Sequence, residues 1–262
     1  MKRHIILILI FVPFFGCSQI LKQDIPDKLV VLTFDDGCAS QYTIVAPLLK
    51  QHDFNATFFM CEFPPHYKDS TKYMTWSRVK ELSEMGFEVA NHTLSHAKIN
   101  KITNEQYIEQ VKAIERKCDS MHIEKLESFA YPAYDLNASA LKILEKLGYK
   151  YARAGGNRAY NPLEDHPFLI PSWAMNADNK DEIINAFNQA KNGNIVVITI
   201  HGVPDIEHPW VNTPPELFKE HLQYLTDNNF KVISIKDLNN YINVNKAKQS
   251  IVPDFTKDLK NN

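Results

Sequence analysis

Five side chains in this sequence are of the types that bind a metal ion and move protons during hydrolysis. Two aspartates stand side by side at Asp35 and Asp36, two histidines lie four residues apart at His92 and His96, and a further histidine is His201. Carboxylate oxygens and imidazole nitrogens are common ligands of Zn²⁺ and similar ions. With one carboxylate and two imidazoles on the metal, a carboxylate and an imidazole remain as base and acid.

Each group also has a purely structural interpretation. Asp35 and Asp36, followed by Gly37, could mark a turn. Histidines four residues apart often lie on a solvated face, and His201 could be a satisfied core residue. Position favours function, because each group follows an apolar run that is typical of a buried strand, where an unpaired charge is costly. We place the two clustered histidines on one side of a helical turn, a spacing that suits chelation of one ion.

Alternating strand and helix patterns must position these residues. Continuous apolar runs predict buried strands, and these are 29–34, 56–60, 87–90, 128–131, 149–153, 168–170, 195–200 and 230–235. Helical periodicity lies between them, with Thr103 and Gln106 as a capping box for the longest helix. This alternation indicates a parallel sheet, either closed as a barrel or open and doubly wound. In a barrel, the carboxyl ends of the strands share one face, so the polar residues should converge there.

Length, composition and charge fit one globular α/β domain. The chain has 262 residues, with 44% hydrophobic and 23% charged, which is close to the globular average. The net charge is −2, and no run of lysine or arginine interrupts the body of the chain. Nucleic acid is therefore not expected as a partner, since phosphate binding needs a concentrated basic surface. A neutral substrate such as a glycan is compatible with this balance.

The first residues are expected to form a targeting segment. A basic start precedes an apolar run over 5–15, which is shorter than the about 20 residues of a spanning helix. Cys17 directly follows Gly16, as in a bacterial lipoprotein cleavage site, and an ordinary cleaved signal peptide is the alternative. Either way the protein is expected outside the cytoplasm, lipid-anchored at the bacterial cell envelope or secreted. We divide the chain into this segment (1–17), a linker (18–27), the main domain (28–245) and a polar tail (246–262).

Three motifs resemble those of the polysaccharide deacetylases, carbohydrate esterase family 4. They are Thr33-Phe34-Asp35-Asp36-Gly37, His92-Thr93-Leu94-Ser95-His96 and the apolar strand that ends at His201. The resemblance covers roughly 28–238. It implies a distorted (β/α) barrel of about seven parallel strands in a single domain, with one divalent metal, most often Zn²⁺.

The resemblance also implies a role for each residue. The metal ligands would be Asp36, His92 and His96. Asp35 would be the general base that deprotonates the attacking water, and His201 would protonate the leaving amine or alcohol. The metal and a backbone N–H near Tyr134 would stabilise the oxyanion.

The third motif of the family usually carries an arginine two residues before its proline, and here that position is Ala130. Arg153 ends the next strand of the sequence and has a side chain long enough to reach the same volume. We hypothesise that it replaces the lost group and forms a salt bridge to Asp35. A surface arginine bound to solvent is the alternative.

The fourth motif normally pairs an aspartate with a tryptophan. Here Ser172 precedes Trp173, so Asp165 or Asp178 would have to substitute for the aspartate. Trp173 is expected either as a wall of the substrate cleft or as part of the core.

Two further aromatic residues are expected to contact substrate. Tyr134 follows the fourth strand. Trp210 belongs to a segment, His208-Pro209-Trp210, that we interpret as an exposed substrate loop after His201.

The expected function is the removal of N- or O-linked acetyl groups from a carbohydrate. The two altered motifs favour an alternative, a carbohydrate-binding relative that has lost useful turnover. A third possibility is a metal hydrolase of the same fold that acts on a small cyclic amide. The extracytoplasmic signal argues against that one.

Overall fold

A computed structural model describes residues 19–63, 66–257 and 259. The predicted targeting segment 1–17, including Cys17, lies outside them. Eight strands occur in the described residues, and all of their pairings are parallel. They are β1 (Leu29–Phe34), β2 (Thr57–Met60), β3 (Glu88–Asn91), β4 (Ser128–Ala130), β5 (Tyr151–Arg153), β6 (Trp173–Ala174), β7 (Val196–Ile200) and β8 (Lys231–Ile233).

The strands curl into a distorted (β/α) barrel, as the sequence motifs imply, and the open doubly wound alternative is wrong. Their order is β5-β4-β3-β2-β1-β7-β6. β1 pairs with β7 over Val30–Phe34, while β8 and β2 pair with its first and second halves respectively. Since β7 occupies one edge, β8 and β2 share the other. All six residues of β1 are buried, as expected for a strand covered on both faces.

The seam between β5 and β6 is joined by a segment that we predicted as the sixth strand. The run 168–170 makes only an isolated parallel bridge, between Ile170 and Arg153, and the sixth strand is β6 instead. Pro167 and Pro171 flank this run and lack the N–H groups that a ladder requires. Ala154 N nevertheless donates to Ile170 O (2.7 Å), which connects β5 to the segment leading into β6.

Seven α-helices accompany the strands in the described part of the chain. They are α1 (Ala46–Gln51), α2 (Trp76–Glu84), α3 (Asn104–Ser120), α4 (Ala138–Leu147), α5 (Lys180–Phe187), α6 (Pro215–Asp227) and α7 (Val244–Ser250). The capping box of α3 is confirmed: Thr103 Oγ1 accepts from Gln106 N, and Gln106 Oε1 accepts from Thr103 N. None of the described helices is both long enough and apolar enough to cross a membrane.

Period-2 alternation along the strands divides the core into two layers. Val30 and Leu32 belong to the larger cluster with residues of the helices, whereas Leu29 and Val31 belong to the smaller cluster with inward-facing residues of other strands. The segment 235–247 contributes its apolar residues to the smaller cluster. Its hydrogen bonds to Thr57, Glu88 and Glu127, at the starts of β2, β3 and β4, locate it at the end of the barrel opposite the carboxyl ends of the strands.

The polar tail that we expected from 246 onwards is ordered in its described part. Its first residues complete α7, whose Ala247 is buried in the smaller cluster. Further on, Lys257 Nζ lies 2.7 Å from Asp165 Oδ1, and Leu259 O accepts from Gly155 N (3.0 Å). The apolar Ala247 and Leu259 anchor a segment that is otherwise polar. This part of the chain therefore belongs to the domain.

Trp173 is part of the core, and its interpretation as a wall of the substrate cleft is wrong. Its side chain is 3% exposed and packs in the larger cluster. Alternation along β6 explains the difference, because the next residue, Ala174, lines the cleft at the carboxyl ends of the strands.

Replacing Trp173 therefore tests the fold and not substrate binding. Trp173→Ala should lower the free energy of unfolding by about 3–5 kcal/mol, since it leaves a large cavity. The control is Trp210→Ala, whose side chain is 71% exposed, and this change should stay within about 0.5 kcal/mol. Urea denaturation of both variants measures the difference, and equal losses would contradict the assignment.

Candidate metal and active site

The polar residues of the three motifs converge at the carboxyl ends of the strands. Asp35 and Asp36 follow β1, His92 follows β3, and His201 follows β7. A cleft of about 500 Å³ opens there, lined by the two aspartates, His96, His201, Tyr134 and Trp210 among others. This is the face where parallel barrels place their sites.

A tight turn after β1 points the adjacent aspartates toward different partners. Asp36 has a φ of 73° and Gly37 a φ of 63°, both in the left-handed region. A Cβ at Gly37 would lie 2.7 Å from the Met60 methyl carbon. Gln41 is buried behind the turn, and its Nε2 donates to the carbonyl oxygens of Asp35 and His201. The ends of β1 and β7 are held together in this way.

The two clustered histidines are not on a helical turn, which corrects the prediction from their spacing. They lie in an irregular loop in which Thr93 has a φ of 63° and His96 a φ of 53°. A positive φ is costly for a β-branched residue. Here side chains hold it: Asn91 Oδ1 accepts from Thr93 N (2.9 Å), and Thr93 Oγ1 accepts from Ala97 N (3.1 Å). The loop nevertheless brings the rings of His92 and His96 to a centroid distance of 4.8 Å.

The hydrogen bond of His92 leaves one of its nitrogens available as a ligand. Nδ1 lies 2.8 Å from the carbonyl oxygen of Ala130, which can only accept, so Nδ1 carries the proton. Nε2 is then a bare lone pair, buried and without a hydrogen-bond partner in the described residues. It lies 3.6 Å from Asp35 Oδ2 and 3.6 Å from Asp36 Oδ1. An orphaned buried acceptor of this kind is what a metal ion would satisfy.

Asp36, His92 and His96 form a group that could hold a metal ion, with their ligand atoms within 4.8 Å of one another. Burial lowers the pKa of His92 to about 4 and that of His96 to about 3, which favours neutral imidazoles. Burial, reinforced by the charge of Asp35, raises the pKa of Asp36 well above its usual range. One oxygen and two neutral nitrogens fit the ligand preferences of Zn²⁺.

Arg153 forms the hypothesised ion pair with Asp35, and the solvent-exposed alternative is wrong. Arg153 Nη2 lies 2.5 Å from Asp35 Oδ2, and the side chain is 0% exposed. Its Nη1 donates to Thr199 Oγ1. The rings of Phe59 and Tyr134 cover the guanidinium at 5.3 and 5.7 Å. Burial disfavours the carboxylate of Asp35, yet its pKa lies below the usual value, and the charge of the Arg153 guanidinium is the largest influence that lowers it.

Ser172 stands where the family normally has an aspartate, and it contacts the residue to which Arg153 donates. Ser172 Oγ donates to Ala154 O (2.6 Å) and lies 2.8 Å from Thr199 Oγ1. The hydroxyl of Thr199 is the group that accepts the hydrogen bond from Arg153. The altered third and fourth motifs therefore meet in one hydrogen-bonded network.

His201 lines the cleft, and neither of the two aspartates expected to replace the one in the fourth motif contacts it. Its Nε2 is 3.8 Å from Asp36 Oδ2, while its Nδ1 is buried and has no hydrogen-bond partner in the described part of the chain. Asp165 pairs with Arg158 and Lys257 instead. Asp178 is exposed, and no hydrogen bond or ion pair joins it to His201 among the described residues. Both substitutes are therefore wrong.

The turn after β4 lines the cleft with Ala133 and Tyr134, whose backbone N–H groups differ in their hydrogen bonding. Tyr134 N donates to Tyr131 O (3.0 Å), whereas Ala133 N makes no hydrogen bond within the described residues. Ala133 and Tyr134 have φ values of 51° and 53°, which turns the chain sharply at the mouth of the cleft. Sequence reasoning had no signal for this, since neither residue is a glycine.

The buried ion pair generates a prediction about stability. Arg153→Ala should lower the free energy of unfolding by about 3–5 kcal/mol, because it leaves Asp35 as an unpaired buried charge. Adding Ala130→Arg to that variant should restore part of the loss. Arg158→Ala is the matched control; its partner Asp165 keeps Lys257 and the side chain is partly exposed, so about 1 kcal/mol or less is expected. Urea titrations of the metal-free proteins measure these changes, and equal losses at the two arginines would contradict the assignment.

Known proteins resemble both the sequence and the fold. The chain is 30% identical to the putative polysaccharide deacetylase YxkH of Bacillus subtilis over 124 residues, which cover 47% of this chain and 43% of that protein. It is 29% identical to a peptidoglycan-N-acetylglucosamine deacetylase of Bacillus cereus over 125 residues, or 47% of this chain and 55% of the relative. The chain thus spans about half the length of these relatives.

The solved structures extend the similarity of the fold. PdaA of Bacillus subtilis, a family 4 carbohydrate esterase, matches with a TM-score of 0.55 at 21% identity over 81% of this chain and 80% of that one. A family 4 pseudoenzyme from Bacillus anthracis matches with a TM-score of 0.56 at 18% identity over 82% of this chain and 66% of that one. The family model described as polysaccharide deacetylase matches residues 22–152, half of the 262 residues. The chain belongs to the polysaccharide deacetylase family.

Proposed function

We propose that the protein is a metal-dependent hydrolase that removes N- or O-linked acetyl groups from a carbohydrate outside the cytoplasm. One observation carries the proposal: in a single cleft, the Arg153-paired carboxylate of Asp35 lies next to the group of three possible metal ligands. Asp36, His92 and His96 would hold the metal. A bound Zn²⁺ polarises a carbonyl oxygen and lowers the pKa of water.

The contacts of Asp35 suit a general base. Arg153 holds its Oδ2, whereas its Oδ1 makes no hydrogen bond in the described residues and is left to accept a proton. As a water molecule attacks the acetyl carbonyl carbon, Asp35 accepts a proton from that water. The proposed donor to the developing oxyanion is the N–H of Ala133, a residue that lines the cleft and whose N–H makes no hydrogen bond in the described residues.

His201 is the proposed proton donor to the leaving atom. Its Nε2 faces the carboxylate cluster at the floor of the cleft. When the bond from the acetyl carbon to nitrogen or oxygen breaks, the leaving atom keeps the electron pair and takes the proton. Acetic acid, which ionises to acetate, and a free amine or alcohol are the products. Solvent then takes the proton from Asp35 and returns one to His201, which restores both residues.

The proposed substrate is an acetylated glycan. Relatives are named as deacetylases of peptidoglycan N-acetylglucosamine and of poly-β-1,6-N-acetyl-D-glucosamine. Tyr134 and Trp210 line the cleft, and sugar rings pack on aromatic faces.

A binding protein with little turnover is the second candidate, and the pseudoenzyme among the structural relatives is the observation that favours it. Acetate release from N-acetylglucosamine oligomers, peptidoglycan and acetylated xylan, with and without added Zn²⁺, separates the two. Release that depends on Zn²⁺ supports the hydrolase, and binding without release supports the second candidate.

The two aspartates should respond differently to the same substitution. Asp36→Asn should lose Zn²⁺ first, because a ligand is weakened. Asp35→Asn should keep the metal but lower turnover by about 100- to 10,000-fold, as expected for removal of a general base. Elemental analysis and acetate assays of both variants test this. Metal loss after the change at Asp35, with full occupancy after the change at Asp36, would exchange the two roles.

We also propose that a lipid on Cys17 holds the mature protein at the bacterial envelope, on the basis of the Gly16–Cys17 sequence alone. Cys17→Ser should then move the protein from the membrane fraction to the soluble fraction. Fractionation followed by immunodetection measures this. Unchanged membrane recovery of the variant would contradict lipidation.

A further inference from the structure

A second carboxylate–imidazole pair lies in the loop that follows β7. His208 Nδ1 is 3.3 Å from Asp205 Oδ1, and His208 N donates to the same oxygen (2.9 Å). The side chain of Asp205 is 1% exposed. None of the residues assigned above to the reaction makes a hydrogen bond with this pair in the described part of the chain.

The position of Asp205 is fixed by contacts from several directions. Its Oδ2 accepts from Gly202 N (3.3 Å) and from the thiol of Cys38 (3.5 Å), and its N donates to Asn212 Oδ1 (2.8 Å). A Cβ at Gly202 would lie only 2.6 Å from Asp205 Cα, so the loop needs a glycine there. The imidazole of His208 is therefore bound to a carboxylate whose position is fixed by its other hydrogen bonds.

The ring of His208 faces the same cleft as the proposed catalytic residues. It is 21% exposed and lies between Phe63 and Trp210, at centroid distances of 5.7 and 5.4 Å. Phe63 in turn lies 5.4 Å from the ring of His96. An aromatic wall, formed by Phe63, His208 and Trp210, thus extends from the proposed metal ligands to the rim. At the rim Trp210 is 71% exposed.

We propose that this aromatic wall is the subsite that binds the pyranose ring carrying the acetyl group, with His208 as its specific polar contact. A carboxylate oxygen can only accept, so Nδ1–H of His208 donates to Asp205. Nε2 of His208 is then left to accept a hydrogen bond from a sugar hydroxyl. The apolar faces of the sugar pack against Phe63 and Trp210. The inference rests on the proposed function for the class of ligand only.

His208→Phe tests the contact, since it keeps an aromatic ring and removes Nε2. With the N-acetylglucosamine tetramer as substrate, KM should rise about 5- to 10-fold, while kcat changes less than about 2-fold, the pattern of lost uniform binding. The rate on 4-nitrophenyl acetate, which has no sugar, should be unchanged. His52→Phe is the matched control, a histidine bonded through Nδ1 to Thr226 outside the cleft, and it should change nothing.

Two further measurements keep the outcome decisive. Trp210→Ala, at an exposed position, should raise KM as well, even if His208→Phe folds poorly. Binding of the deacetylated tetramer to metal-free protein, measured by isothermal titration calorimetry, should weaken in both variants. Weakened binding supports the subsite even if the wild type releases no acetate, and in that case the proposed function alone fails. Unchanged binding and KM, or a fall confined to kcat on the tetramer, would overturn the inference.

Discussion

Two carboxylates buried side by side at the end of β1 require positive charge near them, because an unpaired charge out of water is costly. The structure meets this requirement for only one of the two carboxylates. Asp35 is paired with Arg153, while Asp36 faces two imidazoles that burial keeps neutral. Neutral imidazoles supply lone pairs but no charge. Burial and the charge of Asp35 raise the pKa of Asp36, and a cation held between Asp36 and the two imidazoles would favour the ionised carboxylate.

The barrel matters because it brings together strands that are distant in sequence. Ala130 leaves space where the family usually has an arginine, and its carbonyl orients His92. The guanidinium comes instead from Arg153 of β5, the register partner of Ala130, and it donates to Thr199 of β7. Ser172, which precedes β6, supports Thr199. Two departures from the family pattern that look independent in the sequence are thus parts of one arrangement.

Local signals made much of the fold predictable. The apolar run of β1 and the capping box at Thr103 act within a few residues, so their geometry follows from neighbours in the chain. The arrival of Arg153 at Asp35 was predictable from strand order, since parallel strands end on one face. The ion pair shows that a long side chain can reach across the barrel mouth from there.

Other features depend on contacts that spacing does not encode. The loop that carries Thr93 and His96 is held by distant partners such as Gln110, which accepts from Ser95 N, so a helical turn does not form. The two prolines that flank the run 168–170 displace the sixth strand. The pairing of Asp205 with His208 arises from the path of an irregular loop. Asp205 and His208 are three positions apart, and that spacing alone does not predict that they pair.

An exchange of the guanidinium between β4 and β5 would be tolerated in one order and not in the other. If the arginine at position 130 had been lost first, Asp35 would have been left without a partner, in a protein weakened by several kcal/mol. If Arg153 arose first, the carboxylate was never unpaired, and alanine at position 130 then cost little. Substitutions at a buried ion pair of this kind can accumulate in one order and not in the other. What Asp35 requires is a positive charge at one point in space, and either of two neighbouring strands could supply it.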